Sequence, residues 1–190
     1  MTGAASQPEQ SLAQLYPPLA PALHAWACTR IGSGDRAHLA PEDLTQEVWL
    51  RALQVFPRFD PQRSTFRAWL FSVAKKVLLE ARRRLRQSRH ELAPHGRTSK
   101  LLALDQVPED ITTITRRLTK NEDLQRFVAR LRDLDPIDLQ TTLHCGLEGM
   151  SLAEAATQLG ENMPAVAKRW QRLRASMRTW AGPLGLFADD

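Results

Sequence analysis

The chain has 190 residues, of which 43% are hydrophobic, so it can bury one medium-sized core or two small ones. Lysine and arginine number 26 against 21 acidic residues, and the formal charge of +5 indicates an acidic partner. The charge is concentrated, because positions 61 to 90 hold nine basic residues and one acidic residue. Cys28 and Cys145 are the only cysteines, which argues against a disulfide framework and a four-ligand zinc site; we interpret both as buried thiols.

Several other classes of function are disfavoured. The first 14 residues lack a basic stretch followed by an apolar one, and no run approaches the roughly 18 apolar residues of a membrane span. We therefore expect a cytoplasmic protein without membrane insertion. The sequence has no glycine-rich phosphate loop, GxSxG elbow or HExxH motif, and His144 and Cys145 point in different directions on a helix. We expect no enzyme activity, no catalytic residue, no metal site and no cofactor.

Apolar residues recur at spacings of three and four along the chain, which predicts an all-α fold. A first helix is predicted after Pro17, Pro18 and Pro21, ending near Gly32. Its buried face consists of Leu19, Leu23, Trp26 and Ala27. Pro41 opens a second helix, whose acidic first turn suits the helix dipole. Its apolar stripe consists of Leu44, Val48, Ala52 and Val55.

A longer third helix follows, capped by Ser64 or Thr65. It ends in an arginine cluster, residues 82–89, that is too dense to be paired by the acids near it in sequence and therefore needs solvent or a polyanion. Trp69 and Phe71 precede this cluster and suit stacking on unpaired bases, although aromatic residues at helical spacing are more often core.

Beyond this helix the periodicity fades until about Ile111, which predicts a linker between two small helical domains. The predicted boundaries are 10–92 for the first domain, 93–112 for a flexible linker and 113–182 for the second domain. Within the second domain, Asp135 is expected to cap the helix that begins at Pro136.

The end of the chain carries strong helix signals. Ser151 and Glu154 match a capping box, Gly160 can end that helix, and Asn162 can cap the next. One stripe of the last helix is apolar, with Val166, Trp170, Leu173 and Met177. Leu134 to Met177 is therefore predicted to form a helix-turn-helix whose last helix, from Ala165 to Arg178, enters the major groove of duplex DNA. An ordinary amphipathic helix with a solvated charged face is the alternative.

Five segments together resemble a known family. PEDLTQEVWLRA (41–52), FDP (59–61) and STFRAWLFSVA (64–74) resemble region two of a bacterial sigma factor. GMSLAEAA (149–156) and VAKRWQRLR (166–174) resemble region four of the same family. The resemblance extends from about Leu12 to Met177, and with only a short linker between the two regions it is to the extracytoplasmic-function (ECF) type.

The resemblance implies an alternative sigma factor whose partners are core RNA polymerase, promoter DNA and, as a further candidate, an anti-sigma factor. The residues expected to dock on the polymerase clamp helices are Asp43, Leu44, Gln46, Glu47, Leu50 and Arg51. Those expected to recognise and open the −10 element are Trp69, Lys75, Lys76, Arg82 and Arg83, with a flipped base near Lys76. Those expected to bind the −35 element are Ala165, Lys168, Arg169, Gln171, Arg172 and Arg174. An acidic linker, residues 101–111, would thread the RNA channel.

The sequence departs from the family at three positions. Lys76 stands where asparagine is common, and a point charge favours phosphate or a different base over paired hydrogen bonds. Ala165 stands where threonine is common, which removes one phosphate contact, and Glu80 replaces the usual aspartate.

Two other functions are weighed against this one. A sigma mimic that sequesters an anti-sigma factor would have lost its recognition cations, whereas Lys168 and Arg172 remain. A homodimeric helix-turn-helix regulator would leave the docking segment, residues 43–51, unexplained.

Overall fold

The structure is a computed structural model that describes residues 12–32, 34–90, 109–181 and 186. Over these residues the all-α fold is confirmed, with no strand in the described part of the chain. Eight α-helices have defined bounds: α1 Ala20–Arg30, α2 Pro41–Val55, α3 Phe66–His90, α4 Glu109–Thr119, α5 Glu122–Arg132, α6 Pro136–Thr141, α7 Leu152–Leu159 and α8 Met163–Ala181. Residues 12–15 are helical as well.

The helix starts follow the sequence signals in most places. Proline occupies the first turn of α1 and α2, and the Thr65 hydroxyl accepts a hydrogen bond from the Ala68 amide at 3.2 Å, capping α3. The expected cap by Asp135 is wrong, because its side chain makes no cap hydrogen bond and Pro136 begins α6 without one. Asn121, for which no cap is predicted, caps α5 by accepting a hydrogen bond from the Leu124 amide.

Residues 12–90, which we call the N-terminal half, pack around buried aromatic and aliphatic side chains. Trp26 and Phe71 meet edge to face with ring centroids 5.9 Å apart, and both are almost fully buried. Phe71 is therefore a core residue, and the base-stacking interpretation is wrong for this side chain. The pairing of α2 with α3 places the predicted docking helix beside the basic helix.

Residues 109–186, which we call the C-terminal half, share this core. Helices α4 and α5 pack against α1, and α4 also packs against α2. Phe127, Leu131 and Leu147 belong to the same continuous hydrophobic cluster as Trp26. A smaller cluster around Ala155, Ala156 and Val166 holds α7 against α8. Of the predicted linker, residues 93–108 lie outside the described part, and α4 already begins at Glu109.

The chain between α6 and α7 winds into a π-helical turn, Thr142–Leu147. The Glu148 amide donates to the Leu143 carbonyl at 2.8 Å, and Gly149 follows with a φ of 69°. Both cysteines are half-buried rather than buried, and burial raises the pKa of each thiol to about 11. No helix in the described ranges is long and apolar enough to cross a membrane.

Candidate nucleic-acid and polymerase interfaces

Helix α8 is built as the second helix of a helix-turn-helix. Ser151 and Glu154 form the predicted capping box at the start of α7, and Gly160 ends that helix with a φ of 66°. The Asn162 side chain then accepts from the Ala165 amide at 2.9 Å, which caps the first turn of α8. The turn between the two helices is thus fixed at both ends by local hydrogen bonds.

The two faces of α8 separate as the periodicity predicts. Val166, Leu173 and Met177 are buried against the rest of the C-terminal half. Lys168, Gln171 and Arg172 are exposed on the opposite side, at spacings of three and four residues. This face of α8 therefore exposes one amide side chain, Gln171, and two cationic side chains, Lys168 and Arg172, to solvent. Ala165 and Arg174, both half-exposed, belong to the same predicted set.

Two arginines of this set differ in their surroundings. The Arg169 side chain is 18% exposed and lies in ion pairs with Glu161 in the turn and Asp138 in α6. The Arg172 side chain is 68% exposed, and its terminal nitrogen lies 3.0 Å from an Asp138 oxygen. Because exposed ion pairs contribute little, Arg172 can leave Asp138 for a phosphate or a base at small cost. Arg169, by contrast, links α8 to the turn between α7 and α8 through its ion pair with Glu161.

The predicted −10 residues on α3 divide in the same way. Lys76 and Arg83 are exposed on one face together with Leu79, which is 61% exposed. Among the described side chains, no ion pair engages Lys76 or Arg83. By contrast, Arg82 donates to Asp35 and to the Arg30 carbonyl within the N-terminal half.

Trp69 lies in an aromatic cluster at the start of α3. Its ring is 5.2 Å from that of Phe59, 5.8 Å from that of Phe56 and 5.6 Å from that of Phe66. All four rings are half-buried, and they support the exposed loop before α3. A partly exposed aromatic group at the base of a loop is suited to stacking with an unpaired base.

The predicted docking residues on α2 are only partly exposed. Leu44 is fully buried, and Leu50 and Glu47 are nearly so. Asp43, Gln46 and Arg51 remain half-exposed. Helix α4 is one of the elements that cover α2 in this conformation.

Ion pairs link α2 to the arginine cluster of α3. Arg84 lies 3.4 Å from Glu47, and Arg51 lies 3.0 Å from Glu80, which also faces Arg84. Burial raises the pKa of Glu47, and Arg84 offsets part of that rise. The expectation that the arginine cluster needs solvent or a polyanion is wrong for Arg82 and Arg84, because each pairs with an acid far from it in sequence, Asp35 and Glu47.

Glu148 is a buried, heavily hydrogen-bonded carboxylate that no sequence pattern indicates as a site residue. The Glu148 side chain is 1% exposed, and its Oε1 accepts from Trp26 Nε1 at 2.7 Å and from Arg30 at 2.9 Å. Its Oε2 lies 2.7 Å from Lys75 Nζ and 2.9 Å from His144 Nδ1. Burial alone would raise the pKa of Glu148, but the hydrogen bonds from His144, Lys75 and Trp26, with the charge of Arg30, hold it at about 2.

Fold and surfaces together define an all-α protein of the helix-turn-helix class with a second exposed basic helix. Residues 15–88 match the family described as sigma-70 region 2. The ECF sigma factor SigC of Mycobacterium tuberculosis is 31% identical over 142 residues, covering 75% of this chain and 70% of that protein. The ECF sigma factor SigE of Mycolicibacterium smegmatis is 31% identical over 139 residues, covering 73% of this chain and 51% of that protein.

A solved structure of CnrH in complex with the cytosolic domain of CnrY is 24% identical, with a TM-score of 0.43, and covers 94% of this chain and 89% of that one. From the sequence relatives, the chain belongs to the ECF RNA polymerase sigma factors. These are transcription initiation factors, and the family implies core RNA polymerase and promoter DNA as partners.

Proposed function

We propose that this protein brings core RNA polymerase to promoters by reading their −35 element with α8 and opening their −10 element with α3. The observation that carries the proposal is the exposed row of Lys168, Gln171 and Arg172 on a capped helix, in a chain whose residues 15–88 match sigma region 2. A −35 reader and a −10 reader in one chain are what promoter recognition requires.

The chemistry of α8 suits duplex DNA. Lysine and arginine contact phosphates or guanine edges, and a glutamine side chain pairs with the major-groove edge of adenine. Lys168 and Arg172 would set the register on the backbone, and Gln171 would read a base. Ala165, near the start of the helix, lets the backbone approach the groove closely.

On α3, the exposed pair Lys76 and Arg83 would hold the backbone of the −10 element while Trp69 and its loop receive an unstacked base. Lys76 would act as a point charge on phosphate rather than as a base-pairing amide. Polymerase would dock on α2 through Asp43, Gln46 and Arg51, the members of the predicted set that keep some exposure in this conformation.

The expected mode of action and the expected location follow from RNA polymerase being the partner. The protein acts by binding, without catalysis and without a cofactor. It works in the cytoplasm, because polymerase works on the chromosome. An anti-sigma factor is a further proposed partner, which would compete for the same surfaces.

The two other functions fit less well. A sigma mimic has no use for an exposed basic row on α8, and Lys168 and Arg172 are both exposed. A homodimeric regulator would not need a region that matches sigma-70 region 2 over residues 15–88.

Footprinting of a reconstituted holoenzyme tests the proposal. With core polymerase and this protein together, we expect protection of the −35 element and permanganate reactivity of thymines in the −10 element. Neither component alone should give both signals. Protection without any thymine reactivity would favour a simple DNA-binding regulator, and the absence of both would exclude promoter recognition.

A further inference from the structure

The two halves of the chain meet in an interface that is both apolar and ionic. Apart from its local partner His144, the donors to Glu148 come from the other half: Trp26 and Arg30 on α1, and Lys75 on α3. Arg30 also donates to Gln140 at 2.9 Å, and Arg132 reaches back to the Cys28 carbonyl at 2.9 Å. A buried carboxylate with this many donors is a strong link between the elements that supply them.

A second arginine of the N-terminal half contacts the turn that carries Glu148. Arg67 at the start of α3 donates to the Leu147 carbonyl at 3.1 Å, one residue before Glu148. Gly149 makes room for it, because a Cβ at that position would lie 2.8 Å from Arg67 Cδ. The turn that carries Glu148 is therefore shaped to receive side chains of the N-terminal half.

This closed arrangement engages surfaces that the proposed function needs. Lys75 is one of the predicted −10 contacts, and its ammonium group is bonded to Glu148. The docking helix α2 is covered in part by α4, with Thr115 and Leu118 buried. Asp43, Gln46 and Arg51 allow a first contact with polymerase, but full access to α2 and to Lys75 requires displacement of part of the C-terminal half.

The spacing of the promoter elements gives an independent reason. The −10 and −35 elements are roughly 25 base pairs apart, which is about 85 Å at about 3.4 Å per base pair. A closely packed chain of this length is about 40 Å across. With one core shared by α1 and α5, α3 and α8 cannot reach both elements at once.

We propose that Glu148 is the latch of an autoinhibited state, in which the turn after the π-helix docks on Trp26, Arg30 and Lys75 until core polymerase separates the two halves. The inference rests on the proposed function, since polymerase is the partner that opens the latch. Opening frees Lys75 for a DNA phosphate, so the ion pair lost inside the protein is replaced by one to the promoter. In the free protein, the latch weakens binding to polymerase and DNA, because only a small fraction of the molecules is in the open form that can bind them.

Energy transfer between two dyes on the full chain tests the latch. Dyes are placed on Gln62→Cys and Gln158→Cys, both exposed positions in opposite halves, with Cys28 and Cys145 changed to serine. We expect efficient transfer in the free protein and a fall on adding core polymerase. Even without polymerase, the variant Glu148→Gln should show the low energy transfer that wild type shows with polymerase. It should also bind core polymerase about tenfold more tightly than wild type.

The matched control is Glu122→Gln, an exposed acid in the first turn of α5, which should leave both transfer and polymerase affinity unchanged. If Glu148→Gln fails to fold by circular dichroism, Trp26→Phe removes one donor to the same carboxylate and should lower transfer to a smaller degree. If the folded Glu148→Gln protein has the energy transfer and the polymerase affinity of wild type, Glu148 is not a latch. Unchanged energy transfer in the Trp26→Phe protein would exclude the latch as well.

The two proposals can fail separately. If the wild-type chain does not support transcription with core polymerase, the proposed function fails, whatever the dyes report. If it supports transcription but Glu148→Gln behaves as wild type in transfer and affinity, the latch fails and the proposed function stands. At saturating protein, Glu148→Gln should transcribe as well as wild type, because Glu148 contacts neither partner in the open form.

Discussion

Lys75 and Glu148 form an ion pair of 2.7 Å between the basic helix α3 and the turn in front of the helix-turn-helix. The same lysine is one of the residues expected to meet the −10 element, so one side chain has two competing anionic partners: a carboxylate inside the chain and a phosphate outside it.

The first prediction concerns the pH dependence of stability. The pKa of Glu148 is lowered from 4.5 to about 2 in the folded chain. Below pH 4.5 the unfolded chain takes up this proton first, so the stabilisation by Glu148 is present above that pH and is lost as the pH falls towards 2. By linkage the loss is about 3 kcal/mol. Urea denaturation across this range should give a flatter pH profile for Glu148→Gln than for wild type; parallel profiles would contradict the assignment.

Two glycines with nearly the same backbone provide a second prediction. Gly149 has a φ of 69° and Gly160 a φ of 66°, but a Cβ on Gly149 would meet Arg67 whereas one on Gly160 meets nothing within 4 Å. Gly160→Ala should cost about 1 kcal/mol, the backbone penalty alone. Gly149→Ala should cost clearly more in the free energy of unfolding. In the Arg67→Ala background the excess should disappear, and its persistence would show that Arg67 is not its cause.

A third prediction addresses DNA recognition. Arg172→Ala should weaken binding of the holoenzyme to the −35 element about tenfold, through the loss of one contact, while leaving core polymerase binding intact. Arg126→Ala is the control, because that arginine is equally exposed, lies on α5 and pairs with Asp123. Filter binding of both variants, with folding checked by circular dichroism, measures the effect. Equal affinities for the two variants would remove Arg172 from the interface.

The fourth prediction concerns polymerase docking. Asp43→Arg reverses a charge in the first turn of α2 and should lower core polymerase affinity at least about tenfold, since like charges at an interface cost several kcal/mol. Glu122→Arg makes the same type of change in the first turn of α5. Both variants lose an acid that favours the helix N-terminus, so their stabilities should fall by similar small amounts. If Asp43→Arg pulls down as much core polymerase as wild type, Asp43 is not part of the docking surface on α2.

Local signals in the sequence were sufficient for much of the fold. The capping box of Ser151 and Glu154 and the stop at Gly160 depend on residues within one or two turns, and they were predicted correctly. The buried stripe of α8 follows from the helical period, as do the exposed positions of Lys168 and Gln171. Such features depend on neighbours that the sequence places side by side.

The remaining features depend on residues brought together from far along the chain. Glu148 lies 122 residues from Trp26, so no local pattern signals their bond. The same is true of Glu47 and Arg84, which are separated by 37 residues, so the sequence near the arginine cluster does not signal this acidic partner. The failed cap at Asp135 is a different case, because proline at the next position supplies a helix start without it.

Transcription in vitro from genomic DNA tests promoter recognition by this protein. Purified protein is added to core polymerase on supercoiled genomic DNA, and the 5′ ends of the transcripts are mapped, with Asp43→Arg and Arg172→Ala alongside. We expect discrete start sites that appear only with the protein, share an upstream sequence pair at the −10 and −35 positions, vanish with Asp43→Arg and weaken with Arg172→Ala. Transcripts identical with and without the folded wild-type protein would contradict promoter recognition by this chain.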